Sequence, residues 1–377
     1  GAEEAFLYEE YESLAPKLLS GIEDIYCDYT SAAFEKYDKK LINTAIPYDQ
    51  RGSSFSKATL NSLSPLLSEL RLIKSSEELE NLKRACDITV EGHKSAMEFT
   101  KKDMYEYQIE AEMEKTFYDL GAERLGYPSI VASGDNACIL HYSTNREKVD
   151  NNGLILIDAA AEFKMYSSDV TRTFPVNGKF TKVQKDVYTE VLKAQELGIK
   201  NVTTKKTMSD IHTSTVASIS QSLVDLGLVP MGVEETISMM HYFEFFMHGT
   251  GHWLGLDVHD AGNTEEKNKP RKLKPGMVTT IEPGIYIRPN KPEIEFKLLE
   301  RDPKKIRERR KSLGMEKATK LESEEMKDAK SIKHKIPKDL LGIGIRIEDD
   351  IVCTKNDPIN LTIRAPKTID DVEAICS

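Results

Sequence analysis

Apolar residues recur at helical spacing through four long stretches of the chain. The clearest is 75–100, where Ser75 or Ser76 can cap the helix and Glu77 and Glu78 suit its first turn. The others predict helices at 105–122, 181–202 and 209–229. Short apolar runs between them predict strands at 128–134, 138–144 and 154–158.

The first 72 residues show a shorter, broken pattern. It predicts a helix at 5–19, a strand at 22–29 and, over 53–73, a helix that leads into a strand. This segment is short for an independent α/β domain. We therefore expect a partial domain at 1–73 and a main domain at 74–377.

The run 154–174 predicts a β-hairpin with an aspartate on each strand. A hairpin centred between Phe163 and Lys164 would place Asp158 directly opposite Asp169, with Cβ atoms about 5 Å apart. Two ionised carboxylates at that distance repel unless a cation lies between them. The alternative is a slipped register with two unrelated surface aspartates.

The C-terminal third alternates predicted strands and turns at 246–260, 275–287 and 342–353. These segments carry His252 in a glycine-rich run, Glu282 before Pro283-Gly284, and Glu348 two residues after Arg346. One imidazole and four carboxylates would suit a pair of divalent ions such as Mn²⁺, Co²⁺ or Zn²⁺. The remaining histidines at 93, 212, 241 and 334 show no partner pattern and are interpreted as structural or surface residues.

A charged insertion is expected at about 291–338. From Lys297 to Lys335 there are 14 Lys/Arg and 8 Asp/Glu residues. The pattern favours a solvated segment, partly helical at 304–330 or disordered. The alternative is a basic docking surface for an acidic partner or an organelle membrane.

Composition narrows the class of protein. The 377 residues carry a net charge of −10, which argues against a general nucleic-acid binder. No run of roughly 18 apolar residues predicts a transmembrane span. The five cysteines form no CxxC pair, which favours reduced thiols over a disulfide framework.

Four segments resemble, in order and spacing, the motifs of the Xaa-Pro aminopeptidase (aminopeptidase P) and prolidase family. They are DAAAEFKMYSSDVTRTFPVNGKFT, FMHGTGHWLGLDVHD, TIEPGIY and GIRIEDD. The resemblance implies an α+β pita-bread fold over 74–377, with a curved antiparallel sheet covered by helices. It also implies that 1–73 is part of a creatinase-like N-terminal α/β domain.

The resemblance also implies roles for individual residues. Asp158, Asp169, His252, Glu282 and Glu348 match the five metal ligands, and Asp169 and Glu348 match the two that bridge the ions.

Glu282 also matches a proton shuttle. His259 matches a contact to the scissile carbonyl, and His248 lies beside the residue after the cut. His141 matches a further active-site histidine, and Arg346 an arginine next to Glu348.

The implied activity is a dinuclear-metal aminopeptidase that removes one N-terminal residue from peptides or proteins, with Mn²⁺ favoured. The motifs are most similar to the mitochondrial aminopeptidase P branch. This predicts a mitochondrial location, trimming of imported precursors after presequence cleavage, and a homodimer. The alternatives are a strict Xaa-Pro aminopeptidase or prolidase, a cytoplasmic or nuclear location, and a non-catalytic peptide-binding module.

Overall fold

The computed structural model describes residues 4–18, 22–28, 59–267 and 269–377. Its α-helices are α1 (Tyr11–Leu18), α2 (Ser64–Leu72), α3 (Ser76–Phe99), α4 (Glu106–Asp119), α5 (Lys182–Lys200), α6 (Met208–Asp225), α7 (Val233–Ser238), α8 (Pro303–Leu313), α9 (Met315–Asp328) and α10 (Ile369–Ile375). Its strands are β1 (Asp24–Cys27), β2 (Thr59–Ser62), β3 (Arg124–Leu125), β4 (Ile130–Ser133), β5 (Leu154–Asp158), β6 (Ala161–Phe163), β7 (Tyr166–Ser167), β8 (Thr171–Pro175), β9 (Glu265–Glu266), β10 (Lys269–Pro270), β11 (Val278–Ile281), β12 (Gly284–Tyr286), β13 (Glu293–Lys297), β14 (Ser331–Lys335), β15 (Gly344–Arg346), β16 (Asp349–Val352) and β17 (Ile359–Asn360).

The four long helical patterns form α3 to α6, as predicted. The start of α3 is set by Ser75, whose hydroxyl accepts the Glu78 N–H while the Glu78 carboxylate accepts the Ser75 N–H. This reciprocal capping box satisfies two amide groups that have no partner inside the helix. Among the described residues, none of the helices combines the length and apolarity of a membrane span.

Antiparallel pairing dominates the strands of the main unit. The three-stranded sheets have the orders β4-β5-β8, β3-β6-β7 and β11-β16-β17, and β12 pairs with β15. Helices α3 to α6 cover these strands through a core that includes Ile88, Phe117, Ile157, Val191 and Ile219. Each of these side chains is at most 1% exposed, so the apolar helix faces are fully removed from water.

The contacts divide the chain into Gly1–Arg71 and Leu72–Ser377. In the first unit β1 pairs in parallel with β2. The helix-then-strand order predicted for 53–73 is wrong in the part that is described, because β2 precedes α2; residues 53–58 lie outside the described residues. Pro65 lies in the first turn of α2, where a helix tolerates proline, and the sequence prediction did not use it as a sign that a helix begins there.

Two strand predictions in the main unit are also wrong. Residues 138–144 contain no strand; a 3₁₀ turn occupies Gly134–Cys138 and irregular chain follows. In 246–260 no strand forms, and among the described residues the ladder contact of this segment is an isolated bridge from Trp253 to Thr279. This segment lies too close to its neighbour for ordinary side chains, since a Cβ on Gly251 would collide with the Thr280 carbonyl.

The charged insertion is largely helical, in line with the first alternative. Strands β13 and β14 pair antiparallel, and α8 and α9 form a helical hairpin between them. Arg309 donates to Glu325 and Arg310 to Glu322 across the two helices, each at 2.8 Å. The two helices therefore hold each other partly through complementary charge.

The hairpin at 154–174 forms with a register that differs from the prediction. Phe163 pairs with Tyr166, so the two-residue turn is Lys164-Met165 and not Phe163-Lys164. Both turn residues have positive φ, 48° and 68°. Such a turn ordinarily signals itself by Asn-Gly or Asp-Gly, and Lys-Met carries no such signal.

The shifted register changes how the two aspartates face each other. Asp158 pairs directly with Thr171, and Asp169 precedes that residue by two positions. The aspartates are thus diagonal neighbours on one face of the hairpin rather than a directly opposed pair. Diagonal side chains remain within reach of a shared partner.

Candidate active site

A single tyrosine hydroxyl joins the two aspartates of the hairpin. The Tyr127 hydroxyl lies 2.5 Å from Oδ1 of Asp158 and 2.5 Å from Oδ1 of Asp169. Burial raises the pKa of Tyr127 well above its ordinary value, so the phenol keeps its proton. The one hydroxyl proton can form a full hydrogen bond with only one of the two carboxylates at a time. Additional positive charge is therefore needed where the two Oδ1 atoms meet.

His252 and Glu282 reach the same place from two other segments. The His252 Nε2 atom lies 3.2 Å from Asp169 Oδ2 and 3.8 Å from Glu282 Oε1. The imidazole is oriented at its far side by a contact of 3.0 Å between Nδ1 and the Trp253 carbonyl. Glu282 follows β11, and its N–H donates to the Thr250 carbonyl at 2.8 Å.

Glu348 enters between β15 and β16 and contacts the start of β8. Its N–H donates to the Thr171 carbonyl at 3.1 Å, and its Oε2 accepts the Thr171 hydroxyl at 2.6 Å. Potential ligand atoms of Asp169, His252 and Glu348 all lie within 4.8 Å of one another. Side chains from three distant segments thus converge on one point.

The protonation equilibria show an excess of negative charge at this point. Burial raises the pKa of Asp169 to about 6 and that of Glu348 well above its ordinary value, with further increases from neighbouring carboxylates. Burial opposes the charge of His252, yet the hydrogen bond and charge of Asp169 raise its pKa to about 9. The site is built so that a cation stabilises it.

A second row of side chains lies behind Asp158 and Glu282. Arg346 donates to Asp158 Oδ2 at 2.6 Å and to the Tyr286 hydroxyl at 2.9 Å. That hydroxyl is 2.9 Å from His248 Nε2, and His248 Nδ1 is 3.4 Å from Glu282 Oε2. A continuous polar chain therefore connects the two carboxylates.

All nine residues singled out from the sequence line one cavity of about 340 Å³. His259 stands edge-on to His252, with ring centroids 4.3 Å apart, and burial lowers its pKa. His141 lies at the solvent-exposed side and also lines an adjoining space of about 290 Å³ with Tyr127, Pro128 and Val258. The nine residues are Asp158, Asp169, His252, Glu282 and Glu348, with His141, His248, His259 and Arg346.

Sequence reasoning missed several residues that hold this arrangement. Tyr127 and Tyr286 carry no motif, because an isolated tyrosine beside a strand is ordinarily a packing residue. Asp350 accepts the Asp169 N–H at 3.0 Å and the Ser168 hydroxyl at 2.9 Å, which fixes the backbone of the second aspartate. The acidic pair Asp349-Asp350 directly after Glu348 was a sequence signal for this residue, but no role was predicted for it.

Glu348 is fixed by a buried arginine in a similar way. The Arg172 guanidinium donates to the Glu348 carbonyl and to Asp349 Oδ1, both at 2.6 Å, and neither charged side chain is exposed. Burial opposes the charge of Asp349, but Arg172 and Lys367 lower its pKa below the ordinary value. This pair keeps its charge and holds the backbone on which Glu348 stands.

The histidines that showed no pattern are placed outside the cavity. His93 is fully buried with Nε2 3.0 Å from the Ala159 carbonyl, and His241 Nε2 is 2.8 Å from the Lys297 carbonyl. His212 Nδ1 contacts the Thr250 hydroxyl at 2.9 Å, and His334 Nε2 lies 2.8 Å from the Gly227 carbonyl. Their interpretation as structural residues agrees with these contacts.

The donor set fits divalent metal ions. The His252 imidazole and four carboxylates form the candidate ligand set in the cavity, and the single Tyr127 hydroxyl proton cannot neutralise both Asp158 and Asp169. Oxygen-rich sites with one imidazole suit Mn²⁺, Co²⁺ and Zn²⁺.

Comparison with known proteins places the chain in a family. Residues 80–355 match the model of metallopeptidase family M24. The Xaa-Pro aminopeptidase of Escherichia coli is 35% identical over 378 residues, which covers 100% of this chain and 75% of that protein.

Solved structures agree. Aminopeptidase PepP of Pseudomonas aeruginosa superposes with a TM-score of 0.84 at 34% identity, covering 100% of this chain and 76% of the other. Zn-substituted E. coli aminopeptidase P in complex with product gives a TM-score of 0.83 at 35% identity and the same coverage. The α+β pita-bread fold expected from the motifs is confirmed, and the chain belongs to metallopeptidase family M24, among the Xaa-Pro aminopeptidases.

Proposed function

We propose that this protein is a dinuclear-metal Xaa-Pro aminopeptidase, which removes the residue that precedes proline at a peptide's N-terminus. The observation that carries the proposal is the convergence of four carboxylates and one imidazole on one cavity. Similarity to relatives named Xaa-Pro aminopeptidase supports the substrate class.

Asp158, Asp169, His252, Glu282 and Glu348 would hold the two ions. Bound there, the ions would polarise the scissile carbonyl and make water a stronger nucleophile at neutral pH. Mn²⁺ stays our favoured ion, a prediction that the donor set supports no better than Co²⁺ or Zn²⁺.

The chain's own groups would position the substrate and move protons. Burial raises the pKa of Glu282, but His248 and His252 lower it below its ordinary value, so Glu282 is ionised at neutral pH. Its Oε2 can accept a proton and pass it towards His248, 3.4 Å away. His259, neutral because burial lowers its pKa, can donate a hydrogen bond to the carbonyl oxygen.

Removal of a single residue follows from charge and space. The surplus of carboxylates attracts the cationic α-amine of a peptide. The space lined by Tyr127, Pro128, Ile130 and Val258 is about 290 Å³ and can receive the side chain of the first peptide residue beside these carboxylates. Both features favour an exopeptidase.

Other functions receive less support. A non-catalytic binding module would not need to retain every candidate ligand, and all five are present. Trimming of imported mitochondrial precursors, a mitochondrial location and a homodimer remain predictions that rest on motif resemblance alone. A prolidase would accept dipeptides and no longer substrates.

A small peptide panel tests the proposal. Purified protein with Mn²⁺, Co²⁺ or Zn²⁺ is incubated with Xaa-Pro dipeptides, longer Xaa-Pro peptides and matched peptides with Ala second, and products are weighed by mass spectrometry. We expect loss of one residue from the longer Xaa-Pro peptides only. Cleavage of dipeptides alone would indicate a prolidase, shortening of Ala-second peptides with a bulky first residue would favour precursor trimming, and no cleavage with any metal would contradict the proposal.

A further inference from the structure

The buried carboxylate of Glu106 accepts four hydrogen bonds, and it forms no salt bridge with any other described residue. It is the first residue of α4 and is 0% exposed. Its Oε1 accepts the Ser133 N–H at 2.8 Å and the Asn136 amide at 2.9 Å. Its Oε2 accepts the Tyr142 hydroxyl at 2.7 Å and the Glu147 N–H at 3.0 Å.

All four donors belong to one loop. Ser133 ends β4, Glu147 closes the loop beside the start of α4, and the other two lie between them. The Glu106 N–H also donates to the Glu147 carbonyl at 3.0 Å, so both chain ends of the loop meet at this residue. Hydrogen bonds to an ionised acceptor are about twice as strong as neutral ones.

This loop carries His141 into the candidate active site. His141 precedes Tyr142 directly, lines both parts of the cavity and is exposed, whereas Tyr142 is buried. The His141 imidazole forms no hydrogen bond with the other residues that the structure describes. Its place in the cavity is therefore set by its backbone, and that backbone is tied to Glu106 through the neighbouring residue.

We propose that Glu106 is a positioning residue for His141: its carboxylate holds the 133–147 loop at four points and so sets where the His141 imidazole stands. The proposal rests on the proposed peptidase function and deepens it. It assigns Glu106 no contact with substrate. A misplacement of about 1 Å in a catalytic group can cost about 100-fold in rate. A residue that fixes the loop carrying His141 can therefore affect turnover without touching the substrate.

A purely structural role predicts a different outcome. If Glu106 only stabilises the loop, its loss lowers the free energy of unfolding, and its effect on activity is independent of His141. If it positions His141, its loss has little further effect once the imidazole is gone. A double-mutant cycle separates the two cases.

The test measures kcat and KM for a Xaa-Pro peptide that the wild-type protein cleaves, in Glu106→Gln, His141→Ala and the double variant. Glutamine keeps the shape but presents an NH₂ group to two donors. We expect Glu106→Gln to lower kcat/KM by about 10-fold or more, and the double variant to be within about 2-fold of His141→Ala. Metal content should equal that of the wild type, because no candidate ligand lies on the loop.

Tyr142→Phe removes a single donor and keeps the test decisive if Glu106→Gln fails to fold. It should lower kcat/KM less, again without further effect in the His141→Ala background. Glu114→Gln, on the same helix with its carboxylate bonded to Ser129 outside the loop, serves as the matched control and should retain wild-type kinetics. Wild-type kinetics in both Glu106→Gln and Tyr142→Phe, or losses that multiply in the double variant, would overturn the inference. Absence of cleavage by the wild-type protein would instead contradict the proposed function.

Discussion

At the scale of single residues, the site brings several carboxylates together and holds each of them in place through hydrogen bonds. Asp158 is held by Arg346, Asp169 by the amide contact to Asp350, and Glu348 by the Thr171 hydroxyl. These contacts set the positions of the oxygens but leave the surplus charge largely uncompensated. A bound cation would supply the missing compensation.

Replacement of His252 by Ala tests the metal site directly. It removes the one imidazole within 3.2 Å of Asp169, so we expect turnover to disappear and the affinity for divalent metal to fall at least about 10-fold. The fold should remain, because the ring lines the cavity and its Nδ1 atom bonds to the carbonyl of the adjacent residue, Trp253. Metal content by mass spectrometry and circular dichroism check both expectations.

His334→Ala is the control, since its imidazole contacts the Gly227 carbonyl and does not line the cavity. It should match the wild type in metal content. Wild-type turnover in His252→Ala would contradict the site assignment.

Thr171→Val tests the support of Glu348. The change removes the donor at 2.6 Å from Glu348 Oε2 and the acceptor of Arg346 Nε at 3.0 Å, while shape is kept. Because a buried charged group loses a hydrogen bond, we expect a cost of about 1–3 kcal/mol, seen as roughly a 5-fold to 150-fold loss of kcat/KM. Steady-state kinetics provide the measurement.

Thr189→Val makes the matched comparison, because that hydroxyl bonds to the Lys185 carbonyl within α5. It should leave kcat/KM at the wild-type value. Equal kinetics for the two variants would show that the Thr171 hydroxyl does not support Glu348.

At the scale of elements, the charged insertion stands apart from the site. None of the nine cavity residues comes from 291–338, and the insertion begins and ends in the paired strands β13 and β14. The Leu298 N–H donates to the Lys330 carbonyl at 2.7 Å, so the ladder continues to the point where the helical hairpin begins. A basic docking role for this segment remains a prediction.

Excision of the helical hairpin tests its independence. Replacing residues 299–329 by Asn-Gly would close β13 and β14 with a two-residue turn that suits antiparallel strands. We expect cleavage of short Xaa-Pro peptides within about 3-fold of the wild type, because the site is built from other elements. A loss of more than about 30-fold with an intact circular dichroism spectrum would show that the hairpin contributes to catalysis.

At the scale of the whole molecule, packing couples the site to the helical layer. His93 on α3 is buried against the strand end that delivers Asp158, and its Nε2 donates to the Ala159 carbonyl. Burial lowers the pKa of His93 to about 4, whereas an unfolded chain returns it to its ordinary value of 6.5. Between these two values the unfolded state binds a proton that the folded state does not.

The stability of the protein should therefore fall on acidification. The contribution of His93 is complete above pH 6.5 and is lost as the pH falls towards 4, by about 2 kcal/mol between pH 7 and pH 5. Urea unfolding of the wild type and His93→Gln at both pH values measures it. Glutamine can keep the bond to Ala159 and does not titrate, so its stability should fall less; an equal fall in both proteins would contradict the assignment.

How much could be predicted differs between local and non-local features. The four long helices and a cap at Ser75 or Ser76 were predicted, since helical periodicity and cap residues are local properties. The roles of the nine cavity residues were predicted from the motif resemblance. The hairpin turn was misplaced by one residue because Lys164-Met165 lacks a turn signal. No strand forms at 138–144, where the Tyr142 hydroxyl bonds to Glu106, a residue 36 positions earlier that the local pattern cannot report.

The sequence by itself determined which side chains are available and which segments become helices: five residues able to bind metal, four polar neighbours and the apolar faces that bury them. Only the tertiary structure decided that these nine residues share one cavity, that Asp158 and Asp169 are diagonal and joined by Tyr127, and that Tyr142, next to His141, bonds to Glu106. The physical reason is that periodicity reports which face of an element is buried, whereas contacts between elements far apart in the chain depend on how the layers pack.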